Sequence, residues 1–480
     1  MKLIDLVKEY SKDILSYKNV EIVGLCHDSR KVKNGDMFFC IDGEHANGSD
    51  YAREAVKNGA VCIVTQSRIN NISVPQVIVD DVRSAMALFA SKFFCVPSSK
   101  MKVVMVTGTN GKTTTTFMIK NILDKAGIKC GVVGTNGIYF DGKKIVSNMT
   151  TPDPIFLEEC LAKMVKCGVK VVIMEMSAHA LYYRKNLGIM SDISVFTNIS
   201  QDHLDFFFNM ENYAKSKELL FQKNASRFAV INIDDEEGLR IKNSITIPCK
   251  TISLSHDADY VACNISRHGG KQYFILQAKG IEKEMVLAMD GKFNVSNALG
   301  AIAATLALGV NLQNVYDGLA SFVGVDGRFN SFMVHERQFV VDFAHTPDGI
   351  TKILEALLDG KGKNQKLITV FGCGGNRDKQ KRPIMGEIAS RLSDFVFVSS
   401  DNPRYEKLQD IIADITKGIT NHNFETEVDR TKALWKAYKM SKPGDIIAIL
   451  GKGAEDYFDI NGTKLHYSDK EVIEEIERNE

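Results

Sequence analysis

The stretch that decides the fold is MKVVMVTGTNGKTTTT, residues 101–116. A short apolar run typical of a buried strand leads into a glycine-rich turn and then into a threonine-rich helical pattern. Gly108 and Gly111 allow the backbone amides of such a turn to curl around phosphate groups, and the N-terminus of the following helix attracts anions. Lys112 adds a cation beside the phosphates, and the hydroxyl of Thr113 is suited to Mg²⁺. The stretch therefore predicts a nucleotide-binding strand–loop–helix unit.

The order of elements around this loop predicts the fold class. Val106 stands where the strict GxxxxGK[ST] pattern has its first glycine, but the strand before the loop and the helix after it keep the usual context. On both sides, apolar runs such as KVVIME, ISVFTN, KLITVFG and DIIAILG alternate with helical patterns. This alternation is typical of an α/β chain with mostly parallel sheets covered by helices. Composition breaks predict three domains, at residues 1–99, 100–328 and 329–480.

The composition excludes several classes of protein. The 480 residues are 44% hydrophobic and 25% charged, which is ordinary for a globular chain. Sixty basic and 59 acidic side chains give a net charge of +1, so we expect neither nucleic acid nor an anionic membrane as a partner. Residues 1–15 lack the apolar core of a secretory signal, and the most apolar stretch, 298–310, is too short to span a bilayer. Ten cysteines without a CxxC pair indicate reduced thiols in a cytoplasmic protein rather than a zinc site.

A series of motifs resembles the Mur ligase family and the related folylpolyglutamate synthetases. The loop TGTNGKTTT (107–115) carries the resemblance first, and HDSRKVKNGDMFFCIDG (27–43) is similar to the UDP-sugar-binding domain of Mur ligases. The resemblance covers essentially the whole chain. It implies an N-terminal UDP-sugar-binding α/β domain, a central P-loop ATPase domain and a Rossmann-like C-terminal domain. The other motifs are TTPDP (150–154), EMSAHAL (175–181), TNISQDHLDFF (197–207), ENYAKSKELLF (211–221), GKFNVSNALGA (291–301), GRFN (327–330), DFAHTPD (342–348), FGCGGNRDKQKRP (371–383), DNPR (401–404) and GKGAEDY (451–457).

The resemblance also implies an activity. Within the family, the DNPR loop is similar to that of the type that adds meso-diaminopimelate to UDP-MurNAc-L-Ala-D-Glu, through an acyl phosphate made from ATP, in cytoplasmic peptidoglycan precursor synthesis. We therefore expect small-molecule substrates and a monomeric enzyme. Three alternatives remain open: the same reaction with L-lysine or another diamino acid, a folylpolyglutamate synthetase, and a non-catalytic paralogue that binds nucleotide or UDP-sugar.

The resemblance implies how ATP and Mg²⁺ are bound. Lys217, in the family's YxxxK pattern, is expected to react with CO₂ as a neutral amine and to become N6-carboxylysine, whose carbamate is an anionic metal ligand. Without that motif, Lys217 would be expected on the surface of an amphipathic helix. The implied catalytic residues are Lys112, Glu175, His203 and Lys217, and the implied Mg²⁺ ligands are Thr113, Glu175, His203 and carbamylated Lys217. The implied ATP contacts are Gly108, Thr109, Asn110, Gly111, Lys112, Thr113, Thr114, Asn294, Arg328, Asp342 and His345.

Two further sites are implied for the substrates that become joined. Arg404 presents a planar guanidinium that matches a carboxylate, whereas L-lysine would place an ammonium against it. The alternative for DNPR is a solvent-exposed turn with a surface arginine. The chain departs from the family pattern at Ala454 (usually histidine), Met149 (commonly asparagine) and Asn330 (commonly acidic). The implied UDP-MurNAc-dipeptide contacts are Ser29, Thr150, Thr151, Ser177 and, at one offset basic position, Arg184 and Lys185; the implied meso-diaminopimelate contacts are Arg377, Asp401, Asn402, Pro403, Arg404, Gly451 and Glu455.

Overall fold

Short strands and helices alternate through the chain, as the sequence pattern predicts. The computed structural model describes residues 1–8, 10, 19–43, 47–147 and 149–479, so part of the N-terminal segment expected to lack a signal lies outside the described residues. Contacts between Cα atoms divide the chain into two compact units. The first consists of Met1–Met105, Ile128–Ser194 and Leu219–Phe228, and the second of Val106–Gly127, Val195–Glu218 and Ala229–Glu480.

The elements of the described residues have the following bounds. The helices are α1 (Leu3–Val7), α2 (Ala52–Lys57), α3 (Val82–Phe93), α4 (Lys112–Lys125), α5 (Pro154–Lys166), α6 (Ala178–Tyr182), α7 (Leu204–Phe207), α8 (Met210–Glu218), α9 (Glu236–Ser244), α10 (Lys292–Ala307), α11 (Leu312–Ala320), α12 (Pro347–Asp359), α13 (Lys381–Leu392), α14 (Leu408–Thr416), α15 (Arg430–Met440) and α16 (Asp469–Asn479). The strands are β1 (Gly24–Cys26), β2 (Asp36–Phe39), β3 (Cys62–Thr65), β4 (Gln76–Ile78), β5 (Lys102–Thr107), β6 (Cys130–Gly134), β7 (Gly137–Phe140), β8 (Lys143–Ile145), β9 (Val171–Glu175), β10 (Ile193–Phe196), β11 (Ala229–Asn232), β12 (Cys249–Ser253), β13 (Tyr260–His268), β14 (Lys271–Ala278), β15 (Ile281–Leu287), β16 (Asn330–Val334), β17 (Arg337–Asp342), β18 (Leu367–Phe371), β19 (Phe395–Ser399), β20 (Phe424–Glu427), β21 (Ile446–Leu450), β22 (Tyr457–Ile460) and β23 (Thr463–His466).

The first unit contains two sets of neighbouring strands. β1, β2, β3 and β4 lie side by side in chain order, and their pairings are parallel. Helices α1 and α3 pack against this sheet, and Leu6, Val64 and Phe89 are fully buried there. The second set has the order β10, β5, β9, β6, β7, β8, in which β6 is parallel to β9 and antiparallel to β7. Strands β5 and β10 begin in the first unit and end in the second.

The second unit continues from the ends of those two strands. Its first set of strands has the order β15, β14, β13, β12, β11, β10, β5. The pairings of β11 with β12 and of β12 with β13 are parallel, whereas those of β13 with β14 and of β14 with β15 are antiparallel. Its second sheet has the order β16, β17, β21, β18, β19, β20 and is antiparallel only at the β16 edge. A hairpin with Asn461 and Gly462 at its turn is formed by β22 and β23, and both turn residues have positive φ, +52° and +78°.

This strand order places the loops of several motifs at one edge. β21 lies between β17 and β18, and β19 lies beside β18. Because the carboxyl ends of parallel strands meet at the same edge of a sheet, the loops that follow β17, β18, β19 and β21 converge. These loops contain DFAHTPD, GCGGNRD, DNPR and GKGAE. The edge is therefore the place to look for a site in the second unit.

The predicted fold class is confirmed as mixed α/β with mostly parallel sheets. Residues 298–305 of the apolar stretch 298–310 are buried in α10, and no helix in the described part of the chain is long and apolar enough to cross a membrane. Each of the ten cysteines carries a free thiol. The division into three domains at residues 99 and 328 stays a prediction.

A buried carboxyl group in α5 makes the stability of the first unit depend on pH. Helix α5 packs against α3, and Glu158 is only 1% exposed. Burial raises the pKa of its carboxyl to about 7, against a weaker opposing effect of the Ser91 hydroxyl. The folded state therefore binds a proton more tightly than the unfolded state. This contribution to stability is present below about pH 4.5 and is lost as the pH rises through about 7.

We expect Glu158→Gln to be more stable than the wild type at pH 8, by about 3 kcal/mol at most, because the glutamine needs no buried charge. At pH 4.5 the two proteins should have the same midpoint of thermal unfolding. The matched control is Glu159→Gln, since Glu159 is exposed and pairs with Lys163. Equal midpoints for Glu158→Gln and wild type at pH 8 would contradict the expectation.

Candidate active site

The predicted phosphate loop connects β5 to α4. Its lysine, Lys112, begins the helix and donates from Nζ to the backbone carbonyls of Gly108 and Thr109, both at 2.9 Å. Gly111 has φ +84°, and a Cβ there would overlap Oδ1 of Asn297 in α10. Only glycine fits both the backbone conformation and this close approach. The loop thus has the geometry that its sequence predicts.

The segment that follows β10 supports the loop from the other side. The amide of Thr109 donates to the carbonyl of Asn198 at 2.9 Å, and the amide of Asn110 donates to Oδ1 of the same asparagine at 3.0 Å. Thr109 Oγ1 lies 3.1 Å from the hydroxyl of Tyr213. Tyr213 is the first residue of the YxxxK pattern, so the phosphate loop and that pattern share a contact. Sequence reasoning did not assign a role to Asn198 or Tyr213.

Lys217 lies in α8 and points into the protein. It is 1% exposed, its Nζ donates to the carbonyl of Gly108 at 2.9 Å, and it lies 4.5 Å from the ring centre of Tyr213. Burial, together with the nearby charge of Lys112, holds the pKa of Lys217 well below its usual range. By contrast, Lys215 on the same helix is exposed and pairs with Glu211. The alternative of a surface lysine therefore applies to Lys215 and not to Lys217.

A buried carboxylate joins the two predicted histidines. Asp202 lies 3.3 Å from Nε2 of His203, 3.4 Å from Nε2 of His345 and 3.0 Å from Nζ of Lys381. Burial raises the pKa of Asp202, but the charges of Lys381 and of the two histidines outweigh this effect and hold that pKa well below its usual range. Sequence reasoning named both histidines and missed Asp202 and Lys381. Asp202 directly precedes His203, and Lys381 lies in the same motif as Arg377.

Arg328 meets the phosphate loop directly. Its Nη2 donates to Oγ1 of Thr113 at 3.3 Å, and its guanidinium lies 4.4 Å from the ring centre of Phe343. In the same GRFN motif, Oδ1 of Asn330 accepts from the amide of Gly327. The side-chain oxygen of Asn330 thus accepts a hydrogen bond that the family's acidic residue could also accept at this position. Arg328 and Thr113, which were each implied as ATP contacts, are therefore in contact with each other in the structure.

Two other predicted ATP contacts have their polar groups engaged with the protein. Asp342 is buried at the end of β17, and its carboxylate accepts from the amides of Phe329 and Ala344 at 2.7 and 2.6 Å. Asn294 is fully buried in α10, where its side chain donates to the carbonyl of Asp290 at 2.7 Å. These contacts hold the GRFN segment and the start of α10 in place. A direct contact of either residue with ATP stays a prediction.

The DNPR loop, residues 401–404, follows β19 and is largely buried. Nη1 of Arg404 donates to the carbonyl of Gly375, in the loop after β18, at 2.7 Å. The backbone of Arg404 has φ +50° and bonds to the hairpin β22–β23, donating to the carbonyl of Asp459 at 2.9 Å. Burial, and then the charge of Arg404, lower the pKa of Arg377. Two guanidinium groups thus lie close together at this edge.

A cluster with carboxylates lies beside the two arginines. Nδ2 of Asn402 donates to Oε2 of Glu455 at 2.8 Å, and a Cβ on Gly451 would lie 3.0 Å from Oδ2 of Asp401. Lys452, which sequence reasoning missed, is fully buried among them. The alternative of a solvent-exposed turn is therefore wrong. The structure brings together the residues predicted for the amino acid, which are Arg377, Asp401, Asn402, Pro403, Arg404, Gly451 and Glu455.

In the first unit, several residues predicted for the UDP-linked substrate surround Glu175. The Glu175 carboxylate accepts from the amide and hydroxyl of Thr135 at 3.1 and 3.0 Å. The hydroxyl of Thr151 donates to the Glu175 carbonyl at 2.8 Å and accepts from the amide of Ser177. Thr150 lies 3.1 Å from the same Thr135 hydroxyl. These residues form one polar group at the end of β9.

The offset basic position, Arg184 and Lys185, is one of the places where the sequence departs from the family pattern. Nζ of Lys185 pairs with Asp153 at 2.8 Å and lies 3.3 Å from Sδ of Met149, so two of the departures meet. Arg184, two residues after the end of α6, has φ +53°. Ser29 lies apart from these residues in the sequence, and its hydroxyl donates to Glu54 at 2.7 Å. The contacts of all these residues with the substrate stay predictions.

Comparison with known proteins finds relatives along nearly the whole chain. Three family models match in order: "Mur ligase family, catalytic domain" over residues 21–94, "Mur ligase middle domain" over 106–305 and "Mur ligase, glutamate ligase domain" over 327–453. UDP-N-acetylmuramoyl-L-alanyl-D-glutamate--2,6-diaminopimelate ligase 1 of Clostridium acetobutylicum is 41% identical, over 99% of each chain. The ligase of that name from Aquifex aeolicus is 40% identical, over 96% of this chain and 95% of the relative.

Solved structures show the same fold. A structure of UDP-N-acetylmuramoyl-L-alanyl-D-glutamate--2,6-diaminopimelate ligase matches with a TM-score of 0.68 and 30% identity, over 96% of this chain and 95% of that chain. The MurF ligase from Thermotoga maritima, solved in complex with ADP, matches with a TM-score of 0.66 at 20% identity, over 91% of this chain and 95% of that chain, and so shares the fold. From its sequence, its site and these matches, the chain belongs to the Mur ligase family.

Proposed function

We propose that this chain is an ATP-dependent ligase that joins meso-diaminopimelate to UDP-MurNAc-L-Ala-D-Glu in the synthesis of peptidoglycan precursors. One observation supports meso-diaminopimelate as the amino acid that is added. At the edge of the second sheet, two arginines, Arg377 and Arg404, lie beside a cluster that contains the carboxylates of Asp401 and Glu455. The distal end of meso-diaminopimelate carries one carboxylate and one ammonium, so it complements both halves of this arrangement. The names of the full-length relatives support the same choice.

The reaction needs cations where two anions meet. The substrate carboxylate attacks the γ-phosphorus of ATP, ADP leaves, and the resulting acyl phosphate is then attacked by the amine, which releases phosphate. Carboxylate and triphosphate repel each other, so fixed positive groups are required. We assign Lys112 to the β- and γ-phosphates and Arg328 to the transferred phosphoryl group. Their contacts with the phosphate loop support this assignment.

We further propose that Lys217 acts as a carbamate. Its amine is buried next to a second lysine, and both share the carbonyl of Gly108, an environment that favours the neutral form needed to capture CO₂. The carbamate would join the hydroxyl of Thr113 and the imidazole of His203 as donors to Mg²⁺, and Glu175, in the first unit, stays a proposed donor. Bound Mg²⁺ would neutralise charge on the phosphates.

Location and assembly follow from the same proposal. We propose a cytoplasmic monomer that acts on small molecules, and the net charge of +1 supports the absence of a nucleic-acid partner. Sedimentation equilibrium should give the mass of one chain. A mass of two or more chains would contradict the proposed monomer.

Release of phosphate in the presence of different amino acids tests the proposed activity. The purified protein is incubated with ATP, Mg²⁺ and UDP-MurNAc-L-Ala-D-Glu, and separately with meso-diaminopimelate, L-lysine, L-ornithine or no amino acid. We expect phosphate release and a product heavier by one diaminopimelate residue only in the first case. Equal turnover with L-lysine would support the alternative substrate. Nucleotide binding without phosphate release in any mixture would support the non-catalytic alternative.

A further inference from the structure

Lys452 is a buried lysine with several contacts at the centre of the carboxylate cluster. It follows β21 and Gly451 and is 0% exposed. Its Nζ donates to the carbonyl of Tyr457 at 2.7 Å and to Oδ1 of Asn402 at 3.2 Å. The same Nζ lies 3.5 Å from Asp401 and 3.6 Å from Glu455. One ammonium therefore touches the DNPR loop and the GKGAE loop at the same time.

Three aromatic rings close off this ammonium from solvent. The ring centre of Phe458 lies 4.5 Å from Nζ, and those of Tyr457 and Tyr467 lie at 5.9 Å. A buried ammonium is costly unless charged and polar groups satisfy it, and rings contribute through their electron-rich faces. The site that holds Lys452 is therefore built around its charge. Removing that charge leaves Asp401 and Glu455 facing each other without their shared cation.

The contacts of Asn402 show what Lys452 orients. Oδ1 of Asn402 accepts from Lys452 and from the amide of Asp459 at 2.9 Å, so the carboxamide has one orientation. In that orientation its Nδ2 donates to Glu455 at 2.8 Å. Lys452 thus fixes Asn402, and Asn402 fixes the carboxylate of Glu455.

The charge of the cluster indicates what it binds. When they are ionised, the carboxylates of Asp401 and Glu455 and the ammonium of Lys452 together have a net charge of −1. A second ammonium, from a ligand, would balance it. The distal ammonium of meso-diaminopimelate is such a group, whereas Lys452 itself is too buried to move towards solvent.

We propose that Lys452 is a positioning residue for the amino-acid substrate, which holds Asn402 and Glu455 in place to receive the distal ammonium and sets its own positive charge beside Glu455. This inference rests on the proposed function, because it deepens the account of that same site. Lys452 does not touch the substrate in this proposal. It acts through Asn402 and Glu455.

The proposal predicts a particular pH dependence. Burial and then Asp401 raise the pKa of Glu455, while Lys452 lowers it, with smaller contributions from Asn402 and Arg404. Tyr457 also faces Glu455, and burial, followed by the charge of Glu455, raises the pKa of that tyrosine to about 12. Without the charge of Lys452 the pKa of Glu455 rises further. The carboxyl group then stays neutral to a higher pH and cannot pair with an ammonium.

The test measures steady-state kinetics of Lys452→Met between pH 5.5 and 9. We expect the KM for meso-diaminopimelate at pH 7 to rise at least about tenfold, and the acidic limb of its kcat/KM profile to move up by about one pH unit or more, since one opposite charge is lost at close range. The KM values for ATP and the UDP-linked substrate should change less than about twofold. The matched control is Lys464→Met, because Lys464 lies on the exposed strand β23 and its Nζ is 4.0 Å from the ring centre of the hairpin's Tyr457.

A double variant separates positioning from simple loss of structure. In Glu455→Gln the acidic limb should disappear, and adding Lys452→Met to that background should cause a much smaller further rise in KM than it causes in the wild type. Wild-type KM and pH profile in Lys452→Met would overturn the inference. Full additivity of the two substitutions would overturn it as well.

Two further outcomes are decisive. If the wild-type protein does not accept meso-diaminopimelate, the proposed function fails and this inference fails with it; if only the variant results disagree, the inference alone fails. Lys452→Gln keeps a hydrogen-bonding group near Tyr457 and removes only the charge, so it replaces Lys452→Met if that variant does not fold. Loss of the folded state in both variants, measured by circular dichroism, would assign Lys452 a purely structural role and overturn the proposal.

Discussion

Replacing Lys217 by alanine should nearly abolish ligation, by about a thousandfold or more, while the UDP-linked substrate still binds. The physical reason is the loss of an anionic ligand that the buried amine is proposed to form with CO₂. No other side chain replaces it at this position, because Lys217 fills a buried site against Gly108 and Tyr213. Phosphate release measures the rate, and calorimetric titration measures binding of the UDP-linked substrate.

Rescue by a small anion makes the prediction about Lys217 specific. Bicarbonate or short carboxylates should partly restore ligation in Lys217→Ala, since each can occupy the space of the missing carbamate. The matched control is Lys215→Ala on the same helix, where the exposed side chain pairs with Glu211 and its loss should change the rate less than about twofold. Near-wild-type activity in Lys217→Ala would contradict the assignment of Lys217 as a carbamate.

Arg404→Ala should raise the KM for meso-diaminopimelate by about a hundredfold to a few thousandfold, because breaking one side of a buried charge pair costs about 3–5 kcal/mol. Its guanidinium lies beside Arg377 and is held by the carbonyl of Gly375 at 2.7 Å, so it is oriented before the substrate arrives. The KM values for ATP and for the UDP-linked substrate should change little. The preference over L-lysine should fall in the same proportion, since L-lysine has no distal carboxylate to lose.

The control for this prediction is another arginine of the second unit. Arg391, at the end of α13, is exposed and pairs with Glu387, so Arg391→Ala should leave every KM within about twofold of wild type. Initial rates over a range of each substrate, for both variants and both amino acids, give the comparison. A wild-type enzyme that uses L-lysine as well as meso-diaminopimelate, or an unchanged preference in Arg404→Ala, would show that the DNPR loop does not select the amino acid.

The local elements of this protein are determined by its sequence over short distances. The strand and helix around residues 101–125 follow from an apolar run, a glycine turn and a helical pattern that are contiguous in the chain. The hairpin at Asn461 and Gly462 follows from two residues that tolerate positive φ. Family motifs added roles for individual residues, such as the loop arginines Arg377 and Arg404 and the two histidines.

The partners of those residues depend on tertiary structure. Lys217 is 109 positions from Gly108, Asp202 is 179 positions from Lys381, and Lys452 is 50 positions from Asn402. Such contacts exist because β21 inserts between β17 and β18 and because the segment after β10 lies against the phosphate loop. Periodicity encodes which face of an element is buried, but not which element lies next to it. For that reason the buried lysines and Asp202, which connect the motifs, became visible only in the folded chain.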